Sequence, residues 1–287
     1  MKKGVLPVLG LVLAFGLGSL WAVQATRSEG GGLLFDSAWW LVFLAPFLGV
    51  LAAGLTRRRD PRIEGDKVLR HNGAARLEHW THGLGTALLL ATGVGLGFLF
   101  VPRLVRDTDG VWLMMNLHFV GVAVFLFGTF YYAANTIISA YRFREHLPTG
   151  NAFSFTVHYG KLLGVKKFTM PPEDKYFESE KMAYILAILA SVGVILSGIV
   201  KVLAHLMELP AWLVSAATPV HGVSTIAMLL FFLAHVFFSS VLPMSWPVLR
   251  SMFTGYVPRE YAEKEHAGWY KRLSDSDDAA TTAGKGA

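Results

Sequence analysis

No cysteine occurs anywhere in this chain. That absence excludes disulfides, cysteine-ligated iron–sulfur clusters and haem attached covalently through a C-x-x-C-H motif. Any redox cofactor must therefore be held noncovalently by other side chains. Charge is the second scarcity. Asp, Glu, Lys and Arg make up 16% of the 287 residues and 53% are hydrophobic. A typical soluble domain is about 25% charged, so the shortfall points to a chain dissolved in lipid. Phosphate-binding glycine motifs are missing as well. The one glycine cluster of note, GVGLG at residues 93–97, has the wrong spacing and sits inside an apolar run.

What is present is six apolar runs, Val5–Val23, Ala38–Leu55, His79–Phe100, Leu113–Ile138, Met182–Leu203 and Pro219–Leu242. Each is long enough, or nearly so, to cross a bilayer, which takes roughly 20 residues. The runs are continuous rather than alternating, which argues for helices and against a barrel. The expected fold is an all-α integral membrane protein. The first run follows Met-Lys-Lys and ends in "VQA" before Thr26. It reads either as a signal peptide cleaved after Ala25 or as a first transmembrane helix, and both place residue 26 outside.

Charge between the runs sets the orientation. Residues 57–76 carry seven Lys/Arg against three acids, residues 141–181 carry seven, and residues 245–272 carry five. Val101–Trp112 has two and Ala204–Thr218 has none. Basic loops stay cytoplasmic, so the loops alternate inside and outside. The net charge of +6 is accounted for by this rule and by anionic lipid headgroups, with no nucleic-acid partner needed. Residues 57–67 and 171–181 are expected to be loops, and the end, SDSDDAATTAGKGA, a disordered tail.

Ten histidines remain to be placed. His71, His146, His158 and His266 fall in inner loops or the tail. The topology puts His79 near the inner face, His118 near the outer face and His221 at the outer end of the last run. His235 follows His221 by fourteen residues, which is about 21 Å of helix and nearly four whole turns. The two therefore share a helix face at opposite depths. Pairing by depth gives His79 with His235 and His118 with His221. His82 and His205 stand in reserve at the inner and outer levels. Any one of these could be a helix-end histidine satisfied by backbone or water, but intramembrane ionisable groups are costly and usually functional.

Two neutral imidazoles on facing helices are the usual axial clamp for a haem iron, and imidazole also suits zinc or copper. Zinc would gather three or four ligands at one place, whereas each level here has two. This favours two noncovalent b haems, one near each face. Gly93, fourteen residues after His79, lies on the same helix face at the outer level, where a missing side chain lets a porphyrin approach the backbone. Gly121, Gly128 and Gly222 are candidates for the same use, or for close helix packing.

The segments "RLEHWTHGL…ATG", "NLHFVGVAVF", "EKMAYILAILASVGVILSG", "VHGVSTIAMLLFFLAH" and "AEKEHAGWYKRL" together resemble the cytochrome b (gamma) subunit of membrane-bound formate dehydrogenases. The resemblance runs from about Arg76 to Leu273. It implies a four-helix dihaem anchor with one or two additional N-terminal transmembrane helices, sited in the bacterial inner (cytoplasmic) membrane as a multi-pass protein. On this reading residues 1–25 are the signal peptide or first helix. Residues 26–76 are an extra helix and basic loop, 77–245 the dihaem domain, and 246–287 a cytoplasmic tail.

The resemblance also implies partners. An iron–sulfur subunit and a catalytic molybdenum or tungsten subunit would deliver electrons on the outer side, for transfer to menaquinone or ubiquinone near the inner face. The family's ligand positions fall on His79 and His235 for the inner haem, and on His118 and His221 for the outer. Its quinone stretch, Tyr-Asn-x-Gly-Gln-Lys, corresponds here to YFESEK, with Phe177, Ser179 and Glu180 replacing Asn, Gly and Gln. Glu178 and Glu180 could relay protons there, or could be acids at a helix start. Other readings are a cytochrome subunit of a thiosulfate or polysulfide reductase or of a hydrogenase, a stand-alone transmembrane cytochrome, or a cofactor-free anchor or transporter.

Overall fold

A computed structural model describes residues 6–28, 31–56, 60–138, 145–148, 160, 164–165 and 172–284. His158 and much of the basic 141–181 segment lie outside the described residues. The chain divides into two compact units. The first comprises Met1–Thr56, Leu77–Ile138 and Ala187–Leu230, and the second Arg57–Arg76, Ser139–Leu186 and Phe231–Ala287.

All six apolar runs are helical. They form α1 (Leu6–Arg27), α3 (Leu41–Leu55), α4 (Gly73–Leu96), α5 (Thr108–Ile138), α6 (Glu178–Leu206) and α7 (Ala211–Val236), with a short α2 (Leu34–Ser37) before α3. Among the described residues, four stretches, in α1, α5, α6 and α7 with the turn that follows it, are long and apolar enough to span a membrane on composition alone. α4 is long enough at 24 residues, but its histidines, threonines and glycines dilute its apolar character. The chain is an all-α membrane protein. Large apolar side chains face outward along its helices, among them Leu20 (67% exposed) and Phe47 (63%). Such a surface is stable only against lipid or another apolar face.

The first unit is organised by α5. Its Phe119 is almost fully buried and meets Trp21 and Phe35 edge-on. Gly49 of α3 faces the backbone of Phe127 and Tyr131 so closely that a Cβ would collide. Buried Asn116 satisfies every group it has. Its Oδ1 accepts from Leu34 N at 2.8 Å, while Nδ2 donates to Thr26 Oγ1 and Gly32 O at 3.0 and 2.9 Å. One amide thus ties the end of α1 and the α1–α2 connection to α5. In lipid, where no water competes, an unsatisfied backbone group would cost several kcal/mol.

The second unit departs from the sequence reading. Part of the 57–67 stretch is β-hairpin rather than loop. β1 (Arg62–Glu64) and β2 (Lys67–Leu69) pair antiparallel, and β3 (Tyr256–Pro258) adds to β2 with Val68 opposite Val257. Gly65 supplies the positive φ (61°) of the tight turn. Around this small sheet fold a π-helical turn (Phe237–Val241), a 3₁₀ turn (Pro243–Ser245), α8 (Trp246–Thr254), α9 (Arg259–Glu265) and α10 (Ala267–Gly284). Val68, Val257, Ala262 and Trp269 make its core. The expected disordered tail is also corrected: α10 continues to Gly284. Trp269 buries the start of that helix, and a helix once nucleated extends cheaply through Ala-rich sequence.

Candidate cofactor site

Within the first unit, α4, α5, α6 and α7 enclose a cavity of about 360 Å³, large enough for a small-molecule ligand. Its lining is mostly apolar. His118 of α5, His221 of α7 and Gly93 of α4, three positions singled out from the sequence, all line it.

Both imidazoles are held in the same way. Thr92 Oγ1 lies 2.8 Å from His118 Nδ1, and Ser197 Oγ lies 3.0 Å from His221 Nδ1. Each hydroxyl also donates to the carbonyl one turn back in its own helix, Thr92 to Leu88 O at 2.7 Å and Ser197 to Gly193 O at 2.6 Å. A hydroxyl has one proton. With that proton spent on the carbonyl, the oxygen accepts from the ring, which puts the hydrogen on Nδ1 of each histidine. Nε2 then carries the lone pair, the state a metal ligand needs.

Gly93 leaves one wall open, since an added Cβ there would meet no atom within 4 Å. Gly198, which the sequence reading passed over, lies against His221, whose Cε1 and Nδ1 would sit 3.7 and 4.0 Å from an added Cβ, in ordinary contact. The other glycines have different uses. A Cβ on Gly121 would press on Leu89, and one on Gly128 on Thr81 and the backbone of His82, so both serve helix packing rather than porphyrin clearance. Gly222 lines the cavity, but the space above it is filled by Leu99. Leu99 holds a left-handed backbone (φ 47°), a strain that a leucine adopts only when its surroundings impose it.

A planar group with an iron at its centre fits this donor set. Two histidines with Nδ1 engaged line an apolar cavity, and no group of three or more metal-binding His, Asp or Glu side chains is gathered at one place among the described residues. The family comparison agrees with that chemistry. Residues 70–255, well over half of the chain, match prokaryotic cytochrome b561. The chain belongs to the prokaryotic cytochrome b561 family. No curated protein matches it. As a b561-type protein it is a transmembrane electron-transfer cytochrome of a family that binds b haem.

The remaining candidates in this cytochrome are placed as follows. His79 is half-buried on α4 in the first unit, its ring edge-on to Trp80 at 5.3 Å. His235 is exposed near the end of α7, in the second unit, stacked on Phe231 at 5.7 Å and directly before the π-helical turn. His82 is not free to reach a cofactor through Nε2. That nitrogen lies 2.9 Å from Thr129 Oγ1, and the ring stacks on Phe125 at 4.6 Å. His205 lines the cavity rim, exposed and 3.9 Å from Asp36.

At the start of α6, the Glu180 carboxylate accepts from the backbone N–H of Phe177 at 2.9 Å. This is the return half of a capping box. Glu178 pairs with Lys181 at 3.6 Å, both side chains buried, and Ser179 is buried beside them.

Proposed function

We propose that this cytochrome is the membrane-anchoring dihaem subunit of a respiratory complex resembling formate dehydrogenase, placed in the bacterial inner membrane. Its task is to carry electrons from an iron–sulfur partner on the outer side to menaquinone or ubiquinone near the inner face. The observation that supports it best is the His118–His221 cavity, with both Nδ1 atoms tied back and both Nε2 atoms left for a metal. These two histidines hold the outer haem, and Gly93 admits its ring against α4. For the inner one, His79 and His235 are the ligands that the resemblance to formate dehydrogenase cytochromes implies. When bound, each haem supplies a one-electron Fe(III)/Fe(II) couple. The chain's contribution is to fix the axial nitrogens through Thr92 and Ser197, to exclude water with aliphatic side chains, and to keep the glycine-lined walls clear.

The quinone site is proposed at the α6 start, with Glu178, Ser179 and Glu180 around it. Glu178→Gln is expected to slow haem oxidation by quinone while both haem spectra stay intact. Unchanged turnover in the Glu178→Gln, Glu180→Gln double variant would remove these residues from the proposal.

Purification from membranes in mild detergent tests the complex. Copurification of an iron–sulfur subunit and a molybdenum or tungsten subunit that oxidises formate supports the reading. A partner acting on thiosulfate, polysulfide or hydrogen would assign the subunit to one of those complexes, and a chain that purifies alone with its haem would be a stand-alone cytochrome. We also infer that α1 is kept in the mature protein, because Ala22 is fully buried and Trp21 packs edge-on against Phe119 of α5. An intact mass beginning at Thr26 would contradict that.

A further inference from the structure

We propose that Lys201 binds a propionate of the haem held by His118 and His221, fixing that haem with its carboxylate edge toward the His205 end of the cavity. The inference rests on the haem reading above and deepens it.

Among the described residues lining the cavity, Lys201 is the one with a formal charge. Its position is tied to the His221 clamp from two helices. On α6 it follows Gly198, which faces His221, by three residues, so the two share a helix face. Across the gap its Nζ donates to Thr218 Oγ1 at 3.1 Å, and Thr218 precedes His221 by three residues on α7. The ammonium is thus anchored one turn from the imidazole on both sides.

An ammonium has three donors. Thr218 takes one, and Lys201 makes no ion pair among the described residues. A cation on a membrane-spanning helix that faces an apolar space is costly, and such groups usually mark a ligand or an ion path. Porphyrin b has the complementary shape, an apolar disc with two carboxylates on one edge. Seating that edge at Lys201 gives the ammonium its counter-charge and leaves the apolar edge of the disc for the apolar lining. His205, on the next turn of α6, sits at the same rim. It faces Asp36, so Lys201 is the stronger candidate for the carboxylate. The competing role for a lysine five residues from a helix end is to reach for the membrane surface with its head in water.

The test compares Lys201→Met and Lys201→Arg with wild type by redox potentiometry followed in the haem absorption bands. The outer haem is identified as the one lost in His221→Ala. Lys201→Met should retain both haems and lower the midpoint of the outer one, because removing a nearby positive charge favours the oxidised iron. The inner haem should be unmoved, which controls for folding, and Lys201→Arg should restore most of the shift. Reconstitution with haem dimethyl ester then isolates the propionate, and the difference between wild type and Lys201→Met should shrink several-fold. An unmoved midpoint in Lys201→Met would overturn the proposal. So would a shift of full size with the esterified haem, since the charge would then be acting without the carboxylate. A wild-type protein lacking haem bands would instead sink the cofactor reading beneath it.

Discussion

Two places on α4 and α5 use the same three residue types and do opposite things with them. At the inner-half seam, His82 stacks on Phe125 and gives Nε2 to Thr129, while Gly85 and Gly128 let the two helices close until backbone meets side chain. At the cavity, His118 gives Nδ1 to Thr92, and Gly93 faces open space. The histidine whose Nε2 is consumed becomes packing. The one whose Nδ1 is consumed keeps its other ring nitrogen and lines the cavity. Residue type does not separate the two places. Which ring nitrogen the neighbouring hydroxyl takes, and whether a glycine meets a helix or a gap, does.

The comparison breaks most visibly at the ligands. His118→Ala and His221→Ala should each remove one whole haem from the protein, read as a halved haem-to-protein ratio, whereas His82→Ala should keep the full amount. If His82→Ala loses a haem while His118→Ala does not, the assignment of roles is reversed. The hydroxyls come next. Thr92→Val or Ser197→Ala unties a ligand without removing it, and loss of such an outer support typically costs about 10- to 100-fold in metal affinity. Haem titration into depleted protein measures it, and unchanged affinity would show that the imidazoles are held by something else.

The glycines give a smaller, crossed effect. A Cβ on Gly85 would lie 2.9 Å from Phe125 N and 3.0 Å from its Cα. Gly85→Ala should therefore cost about 1–3 kcal/mol of stability through overpacking while leaving the haem ratio alone. Gly93→Leu should do the reverse, with thermal stability of the haem-free protein held and the outer haem displaced. His82→Ala should lower the Tm without changing the haem ratio, since it removes one hydrogen bond, about 0.5–1.5 kcal/mol, together with the ring packing on Phe125.

The six helices were legible because apolar run length is a strong signal, and even α4 was found despite its diluted hydropathy. The depth pairing put His118 and His221 at one level from helix rise and loop charge alone, and both line one cavity. Gly93 was legible for the same reason, since fourteen residues return to the same helix face. Gly121 and Gly128 were not. A glycine's use depends on what stands opposite it, and the sequence does not say that Leu89 and Thr81 do. Thr92 and Ser197 were missed because a hydroxyl in an apolar helix ordinarily bonds its own carbonyl, and nothing in the pattern shows that an imidazole arrives from another helix. Lys201 was passed over inside a run counted as apolar. The hairpin at β1 and β2 escaped because three-residue strands give too short an alternation to read, and their partner β3 lies nearly two hundred residues later.

The most direct test of the account is the haem content of the purified wild-type chain, measured as the pyridine haemochrome against protein concentration and repeated after acid–acetone extraction. The account predicts two haems b per chain, both extracted, because it proposes two histidine pairs and the chain contains no cysteine for covalent attachment. One haem per chain, or haem that stays with the polypeptide, would contradict it.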